Sequence, residues 1–206
     1  LSSKYDINIG VNDLFAFESG GYFNDLIGIG QEGGESNASA KGEGMISLSN
    51  PASLSNSDYL LMARDSGSTG TWLTSNSPDA ANVEHLGEEW RVSEIGETGN
   101  LDVTVDGSQL PSLNAGYKVG IMLSDDGDFT TGAQLYELAS SGSDYTAAIN
   151  LNTGDYVRVA QFREVIGFNR QNQNGPESSD AIPVVSLNYI PAQNTTFTVN
   201  HRTNDV

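Results

Sequence analysis

Cysteine is absent from all 206 residues, which excludes disulfides, zinc–thiolate sites, iron–sulfur clusters and thiol nucleophiles. Histidine is nearly absent as well, because only His85 and His201 are present and they lie far apart in the sequence. A histidine-based metal cluster is therefore disfavoured, and a serine–histidine–aspartate triad has only two candidate bases. The lack of cysteine does not by itself assign a cellular compartment.

Basic residues are also scarce. Nine Lys and Arg stand against 27 Asp and Glu, so the formal net charge is −18. Such a charge repels DNA, RNA and anionic membrane surfaces, and we expect no nucleic-acid partner. Divalent cations are the natural counterions for this excess of carboxylates.

Long apolar runs are missing too. No stretch approaches the roughly 20 residues of a membrane-spanning helix, so we expect no membrane insertion. No signal peptide is recognisable, and neither end has the features of a natural terminus, so we expect a segment of a longer protein. Helical periodicity is nearly absent, and apolar residues instead alternate or form short runs between Gly, Asn, Asp and Ser.

This pattern predicts short strands separated by turns. Their spacing of about 8–12 residues indicates an all-β fold, an antiparallel β-sandwich of immunoglobulin-like or jelly-roll-like type. The turn Asn152-Thr153-Gly154 predicts a hairpin. The predicted strands are Gly44–Leu48, Tyr59–Arg64, Glu89–Glu94, Leu101–Val105, Lys118–Ser124, Gln134–Leu138, Tyr145–Ile149 and Asp155–Phe162.

Three polar segments are predicted as loops, namely Gly28–Gly44, Ser66–Ala81 and Asn169–Asp180. The last is the best candidate for a domain boundary, because two new strands, Ala181–Leu187 and Thr195–His201, are predicted after it.

The first loop contains Gly28, Gly30 and Gly33 at the Gly-x-Gly-x-x-Gly spacing. A dinucleotide site needs this motif between a strand and a helix. Here Glu32 and Glu35 stand where a pyrophosphate would bind, and no helix pattern follows. We therefore favour a flexible surface loop.

The densest acidic cluster is Asp125-Asp126-Gly127-Asp128. Three carboxylates on a turn can supply several of the 6–8 oxygen ligands of Ca²⁺, so Asp125, Asp126 and Asp128 are predicted calcium ligands. The segment is not an EF-hand, because the twelfth position counted from Asp125 is Tyr136 rather than Glu. The alternative is a solvated turn whose aspartates bind their own backbone.

Two tryptophans are candidates for carbohydrate contacts. Trp72 follows Gly70-Thr71 in a predicted loop and is the candidate ligand-binding residue, whereas Trp90 lies in a strand pattern and is predicted to belong to the core. His85 is expected to be a surface or packing residue. No spacing singles out a pair of carboxylates for glycoside hydrolysis, and Ser141-Gly142-Ser143 lacks the nucleophile elbow. We therefore expect no enzyme.

Several stretches together resemble an uncharacterised β-rich domain of very large surface proteins of Bacteroidota-type bacteria. The resemblance covers roughly residues 12–162, and its most specific piece is the run from Asp126 to Ala133, Asp-Gly-Asp-Phe-Thr-Thr-Gly-Ala. The other stretches are Leu26–Gly30, Asp58–Asp65, Leu86–Gly96, Gly116-Tyr117 and Asn150–Val157.

The flanks resemble neighbouring modules of such proteins. Residues 1–11 are similar to the tail of a lectin-like domain, or form a linker, and residues 12–163 would form the sandwich module. Residues 164–206 resemble a linker and the first part of a Calx-β domain, which implies a partial second β-sandwich. By position, that resemblance implies Glu177 and Asp205 as calcium ligands.

The resemblance implies a non-catalytic module of a secreted cell-surface protein, an adhesin stalk or filament building block stabilised by calcium. Its partners would be adjacent domains of the same chain or neighbouring copies. Two alternatives stay open: a module that binds surface glycans through loop aromatics, and a filament subunit whose segment Thr195–Val206 donates a strand to a neighbour.

Overall fold

The structure, a computed structural model, describes residues 21, 22 and 24–163, together with the backbone strands 166–170 and 183–187. The chain divides into two compact units, residues 1–163 and residues 164–206. Within the described part of the second unit, β14 (Ile166–Arg170) pairs with β15 (Pro183–Leu187) in an antiparallel ladder. The predicted strand Thr195–His201 lies outside the described residues.

The described part of the first unit contains thirteen strands and one short 3-10 helix, Gly107–Gln109, and every strand pair in it is antiparallel. The strands are β1 Asn24–Glu32, β2 Glu35–Asn37, β3 Ser39–Lys41, β4 Ile46–Ser49, β5 Tyr59–Arg64, β6 Val83–His85, β7 Trp90–Ile95, β8 Asn100–Val105, β9 Lys118–Ser124, β10 Gln134–Glu137, β11 Ala139–Ser141, β12 Asp144–Asn150 and β13 Tyr156–Phe162.

These strands form two sheets. The large sheet has the order β10-β9-β13-β7-β5-β1-β2, and β6 also pairs with β13. The small sheet has the order β11-β12-β8-β4-β3. The prediction of an all-β antiparallel sandwich is confirmed. In the part of the chain described, no helix is long and apolar enough to cross a bilayer.

The main core lies between the two sheets. Because side chains alternate along a strand, one face of each strand supplies the core. Leu60 and Met62 of β5 point inward with Val92 of β7, and Val103 and Val105 of β8 come from the small sheet. Trp90 is fully buried, which confirms its predicted place in the core.

A second, smaller apolar layer covers part of the outer face of the large sheet. Its residues are buried although they alternate with the main-core positions, and they pair across strands: Met122 with Leu135, and Phe162 with Val83. Phe129, in the segment between β9 and β10, is also fully buried. The large sheet therefore has apolar packing on both of its faces.

The predicted loop Gly28–Gly44 is wrong, because it contains the end of β1 and the whole of β2 and β3. Gly28 and Gly30 face neighbours on β5 whose side chains lie over them. A Cβ at Gly30 would meet Cδ1 of Tyr59 at 2.4 Å, and one at Gly28 would meet Cδ2 of Leu61 at 2.4 Å. The Gly-x-Gly pattern thus gives room to cross-strand side chains.

The predicted hairpin at Asn152-Thr153-Gly154 is also wrong. β12 pairs with β11 and β8 in the small sheet, whereas β13 pairs with β6, β7 and β9 in the large sheet. The turn therefore carries the chain from one sheet to the other. It is fixed against β7 by a 3.0 Å hydrogen bond from the Gly154 N–H to the carbonyl of Val92.

The first strand of the large sheet starts, and its last strand ends, toward the same end of that sheet. β1, β5, β7 and β13 are consecutive neighbours in the large sheet and alternate in direction. β1 and β13 therefore run in opposite directions, so the start of β1 and the end of β13 lie toward the same end of the sheet. The turn Gly33-Gly34 after β1 lies at the opposite end.

Candidate functional site

The acidic turn Asp125–Asp128 follows β9 and is ordered by its own hydrogen bonds. The Ser124 hydroxyl donates to Oδ1 of Asp126 at 2.9 Å and accepts from the Gly127 N–H at 3.0 Å. Oδ1 of Asp126 accepts from the Asp128 N–H at 2.8 Å, and Oδ1 of Asp128 accepts from the Thr130 hydroxyl at 2.6 Å. The hydroxyl and the N–H of Thr130 hold the pKa of Asp128 below its ordinary value.

A residue of the preceding polar loop clamps this turn. The amide of Asn76 accepts from the Phe129 N–H at 2.9 Å and donates to the Gly127 carbonyl at 3.3 Å. Asn76 has φ of 51°, a conformation that asparagine tolerates better than most residues. The loop and the turn therefore form one hydrogen-bonded unit over the outer face of the large sheet.

The carboxylates of the acidic turn are not arranged as a calcium site in this structure. Among the described residues, no three His, Asp or Glu side chains are grouped so that they could hold a metal ion. One oxygen each of Asp126 and Asp128 already accepts hydrogen bonds of the turn. Calcium binding by Asp125, Asp126 and Asp128 stays a prediction that would require the turn to rearrange. Glu177 and Asp205 lie outside the described residues.

Trp72 is half-buried rather than displayed. Its ring packs against the main core, and its indole N–H donates to the Ser112 carbonyl at 3.1 Å. Part of the ring is thus occupied by the protein itself, and its role as a ligand contact stays a prediction. His85, expected at the surface or in packing, is buried with its ring nitrogens toward the carbonyls of Leu86 and Ser75.

Two adjacent glutamates, which sequence reasoning did not single out, are buried on opposite faces of the large sheet. On the inner side, Glu88 is 3% exposed. It accepts from the indole N–H of Trp90 at 2.8 Å and from Nη1 of Arg64 at 2.9 Å. Burial raises the pKa of Glu88 above its ordinary value, although Trp90 and Arg64 both act to lower it.

On the outer side, Glu89 binds Arg158 and Tyr22. Nε and Nη2 of Arg158 lie 3.0 and 2.8 Å from the same oxygen of Glu89, and the Tyr22 hydroxyl donates to the other oxygen. The guanidinium of Arg158 also lies 4.6 Å from the centre of the Phe129 ring. Burial and the hydrogen bond with Glu89 raise the pKa of Tyr22.

Next to this ion pair, Arg91 lies between two tyrosines. Its Cζ is 4.8 Å from the ring centre of Tyr156 and 6.0 Å from that of Tyr22, and the two rings meet edge to face at 6.3 Å. Nε of Arg91 is buried and has no hydrogen-bond partner among the described residues. We name Tyr22, Arg91 and Tyr156 the arginine–tyrosine cluster.

A signal for these residues existed in the sequence. Arg64, Arg91 and Arg158 lie at or inside strands that are otherwise largely apolar, in a chain with only nine basic residues. A charge inside such a strand needs a buried partner, and Glu88-Glu89 is the acidic pair next to a strand pattern. Which arginine contacts which glutamate depends on strand order, which the sequence does not display.

The comparison with family models gives a match over residues 16–155 to a family described as a domain of unknown function, DUF8202. The chain belongs to this family. No curated protein and no solved structure matches the chain.

The DUF8202 match contains Glu88, Glu89, Arg91 and the acidic turn, but it ends at residue 155, directly before β13. β13 pairs with three other strands of the large sheet, and it carries Tyr156 and Arg158. The folded unit is therefore longer than the DUF8202 match. The Glu89–Arg158 ion pair and the arginine–tyrosine cluster on the outer face both need a residue of β13, which follows the match.

Proposed function

We propose that the chain is a non-catalytic module of a large secreted cell-surface protein, of the Bacteroidota type that its sequence resembles. In this proposal the module presents an adhesive surface outside the cell, and its partners are surface glycans, adjacent domains or neighbouring copies. The supporting observation is that the start of β1 and the end of β13 lie at the same end of the large sheet. The opposite end is left to turns.

This arrangement favours display over a stalk of modules in series. β1 and β13 are separated by two strands, which is about 14 Å across the sheet at the usual strand spacing. Asn24 pairs with Arg64 and, through β7, lies level with Val157, so the end of β13 lies about 17 Å farther along the strands than the start of β1. Tension applied through these ends acts partly across the strands, so it loads fewer of their hydrogen bonds together than tension between opposite ends of the sheet. A series stalk resists better when tension acts along the strands and loads many hydrogen bonds together.

The turns at the opposite end are held by hydrogen bonds. The Gly33 N–H donates to the Asn56 side chain at 2.6 Å, and the Ser57 N–H donates to the Gln31 carbonyl at 2.8 Å. The Thr98 hydroxyl donates to Glu94 at 2.8 Å. Loops ordered before a ligand arrives lose less conformational entropy on binding, which suits a recognition surface.

Force spectroscopy tests the geometry, and the absence of cysteine makes site-specific attachment straightforward. One variant of the full chain carries Asn24→Cys and Arg163→Cys, two attachment points toward the same end of the sheet, and is pulled partly across the strands. The matched control carries Glu35→Cys and Arg163→Cys and is pulled along them. We expect a lower unfolding force for the first pair. An equal or higher force would favour the stalk.

Adhesion is tested by displaying the full chain on a carrier cell and measuring attachment to glycan-coated surfaces under flow. Attachment above that of the carrier alone supports the proposal. Attachment equal to the carrier on every surface contradicts it.

Calcium enters the proposal as a stabiliser of the acidic turn Asp125–Asp128, where it would neutralise carboxylates that repel one another. Thermal melts with Ca²⁺ and with EDTA test this. A higher Tm in Ca²⁺ that is lost in Asp125→Asn supports calcium, and an unchanged Tm removes it. The strand-donation alternative rests on Thr195–Val206, which lies outside the described residues.

A further inference from the structure

We propose that the arginine–tyrosine cluster binds the carboxylate of a single acidic sugar carried on an otherwise neutral glycan. This inference rests on the proposed adhesive function and names a class of ligand for it, at a second surface: the cluster lies on the outer face of the large sheet beside the start of β1, away from the turns of the opposite end. The binding group is the guanidinium of Arg91, and the rings of Tyr22 and Tyr156 flank it.

The proposal rests chiefly on Arg91, which has no carboxylate partner among the described residues, although the chain has an excess of carboxylates. In the described part of the first unit, Lys41, Arg64, Lys118 and Arg158 each have a carboxylate oxygen within 2.8 to 3.4 Å. Arg163 has none within this part either, but its Nε donates to the Asn82 side chain at 2.9 Å.

Arg91 differs from all of these, because its side chain makes no hydrogen bond or ion pair within the described residues and its Nε is buried. Nε of Arg64 has no hydrogen-bond partner either, yet Nη1 of Arg64 binds Glu88 and its Nε lies 4.0 Å from Asp25. A partly buried guanidinium without a polar partner is an incomplete site.

The tyrosines hold the guanidinium in position for a ligand. Cζ of Arg91 lies over the ring of Tyr156, which restricts the guanidinium, and Tyr22 is itself held because its hydroxyl donates to Glu89. Glu89 does not compete for Arg91, since Arg158 binds it through two nitrogens. A planar fork with ordered flanks suits a carboxylate, which binds Arg through two parallel hydrogen bonds.

Charge decides between a single acidic sugar and a polyanion. The net charge of −18 repels a chain with a carboxylate on every residue. A lone carboxylate on a neutral glycan meets the guanidinium at short range and carries little further charge into the surrounding acidic surface.

The test is a calorimetric titration of the full chain with four probes: glucuronic acid, N-acetylneuraminic acid, glucose and acetate. We expect at least one acidic sugar to bind ten times more tightly than glucose and acetate, and the two acidic arms distinguish a uronate from a nine-carbon acidic sugar. Arg91→Gln should weaken that binding at least tenfold. Lys118→Gln, which removes the same charge elsewhere, should leave it unchanged.

Arg91→Lys separates charge from geometry, because an ammonium retains the charge and loses the fork, so it should restore only part of the affinity. If Arg91→Gln does not fold, the side-chain Nε–Hε resonance of Arg91 in the unmodified chain gives the same answer. It should shift on titration with the acidic sugar and stay in place with glucose.

The inference is overturned if neither acidic sugar binds more tightly than glucose, if Arg91→Gln binds as the unmodified chain does, or if the Arg91 resonance does not shift. Attachment of displayed chain to surfaces coated with neutral glycans, combined with any of these results, would reject the acidic-sugar site and retain the adhesive function. Loss of attachment to every surface would reject both.

Discussion

The indole N–H of Trp90 donates a 2.8 Å hydrogen bond to the carboxylate of Glu88 inside the sandwich. The other oxygen of the same carboxylate accepts from Arg64 at 2.9 Å. A fully buried tryptophan of the main core is thereby joined to an ion pair at the edge of that core. The family match covers all three residues.

Removal of this carboxylate should destabilise the fold strongly. In Glu88→Ala, Arg64 and the Trp90 N–H both lose their buried acceptor, and loss of one partner of a buried pair costs about 3–5 kcal/mol. Urea unfolding measures the change in the free energy of unfolding. Glu137→Ala breaks the exposed pair with Lys118 and should cost about 1 kcal/mol or less. Equal losses in the two variants would contradict a central role for Glu88.

Asp106 should titrate in an unusually acidic range. The side chain and N–H of Ser108 are the main causes that lower its pKa to about 2. A carboxyl with a lowered folded-state pKa contributes stability that is fully present above its ordinary value of 3.8 and is lost as the pH falls through about 2. In Ser108→Ala the pKa should move back toward the ordinary value.

Carboxyl-carbon NMR of the chain between about pH 2 and 5 follows this titration directly. Thr130→Ala is the matched control, because it removes the hydroxyl that binds Asp128 and leaves Asp106 untouched. A pKa of Asp106 that does not respond to Ser108→Ala would contradict this assignment.

Asn76→Ala should loosen the acidic turn. The substitution removes one acceptor and one donor, and it leaves the Phe129 N–H and the Gly127 carbonyl without partners. We expect a loss of about 1–3 kcal/mol and faster hydrogen exchange at the Phe129 amide. Asn56→Ala removes a comparable but exposed hydrogen bond to the Gly33 N–H and should cost less. Unchanged exchange at Phe129 would show that the clamp is unimportant.

Gly30→Ala should destabilise the large sheet, because the new Cβ would lie 2.4 Å from the Tyr59 ring and 3.0 Å from the Asp58 carbonyl. Overpacking of this kind costs about 1–3 kcal/mol. The double variant Gly30→Ala/Tyr59→Ala should lose less than the sum of the two single losses, since the clash with the ring is gone. Additive losses would show that the ring and the glycine are energetically independent.

Tyr59 also forms a hydrogen bond that shifts its own pKa. Tyr59 donates to the carboxylate of Glu32, and this hydrogen bond raises the pKa of Tyr59 to about 12. The glycines that resembled a nucleotide motif therefore serve packing and hydrogen bonding between β1 and β5. The spacing of Gly28 and Gly30 reflects the side chains packed over them from β5, among them Tyr59, and not a nucleotide site.

Local sequence reasoning was most accurate where alternation is strong. Tyr59–Arg64 and Lys118–Ser124 are strands with the predicted bounds, and Trp90 is in the core as predicted. It failed where polar and small residues conceal a strand. β1 to β3 contain Gly, Ser, Glu and Asn at positions that face solvent or lie under neighbouring side chains, so their pattern is typical of a loop.

The sequence by itself determined the all-β class, since period-two alternation and turn residues are local properties of the chain. Only the tertiary structure decided which sheet each strand joins, as the turn at Asn152–Gly154 shows by joining two sheets rather than a hairpin. It also decided that Glu88 and Glu89 are ion-paired, whereas Arg91 has no ion pair within the part of the chain that the structure describes. The physical reason is that an ion pair depends on strand order and register, which arise from contacts between residues far apart in the chain.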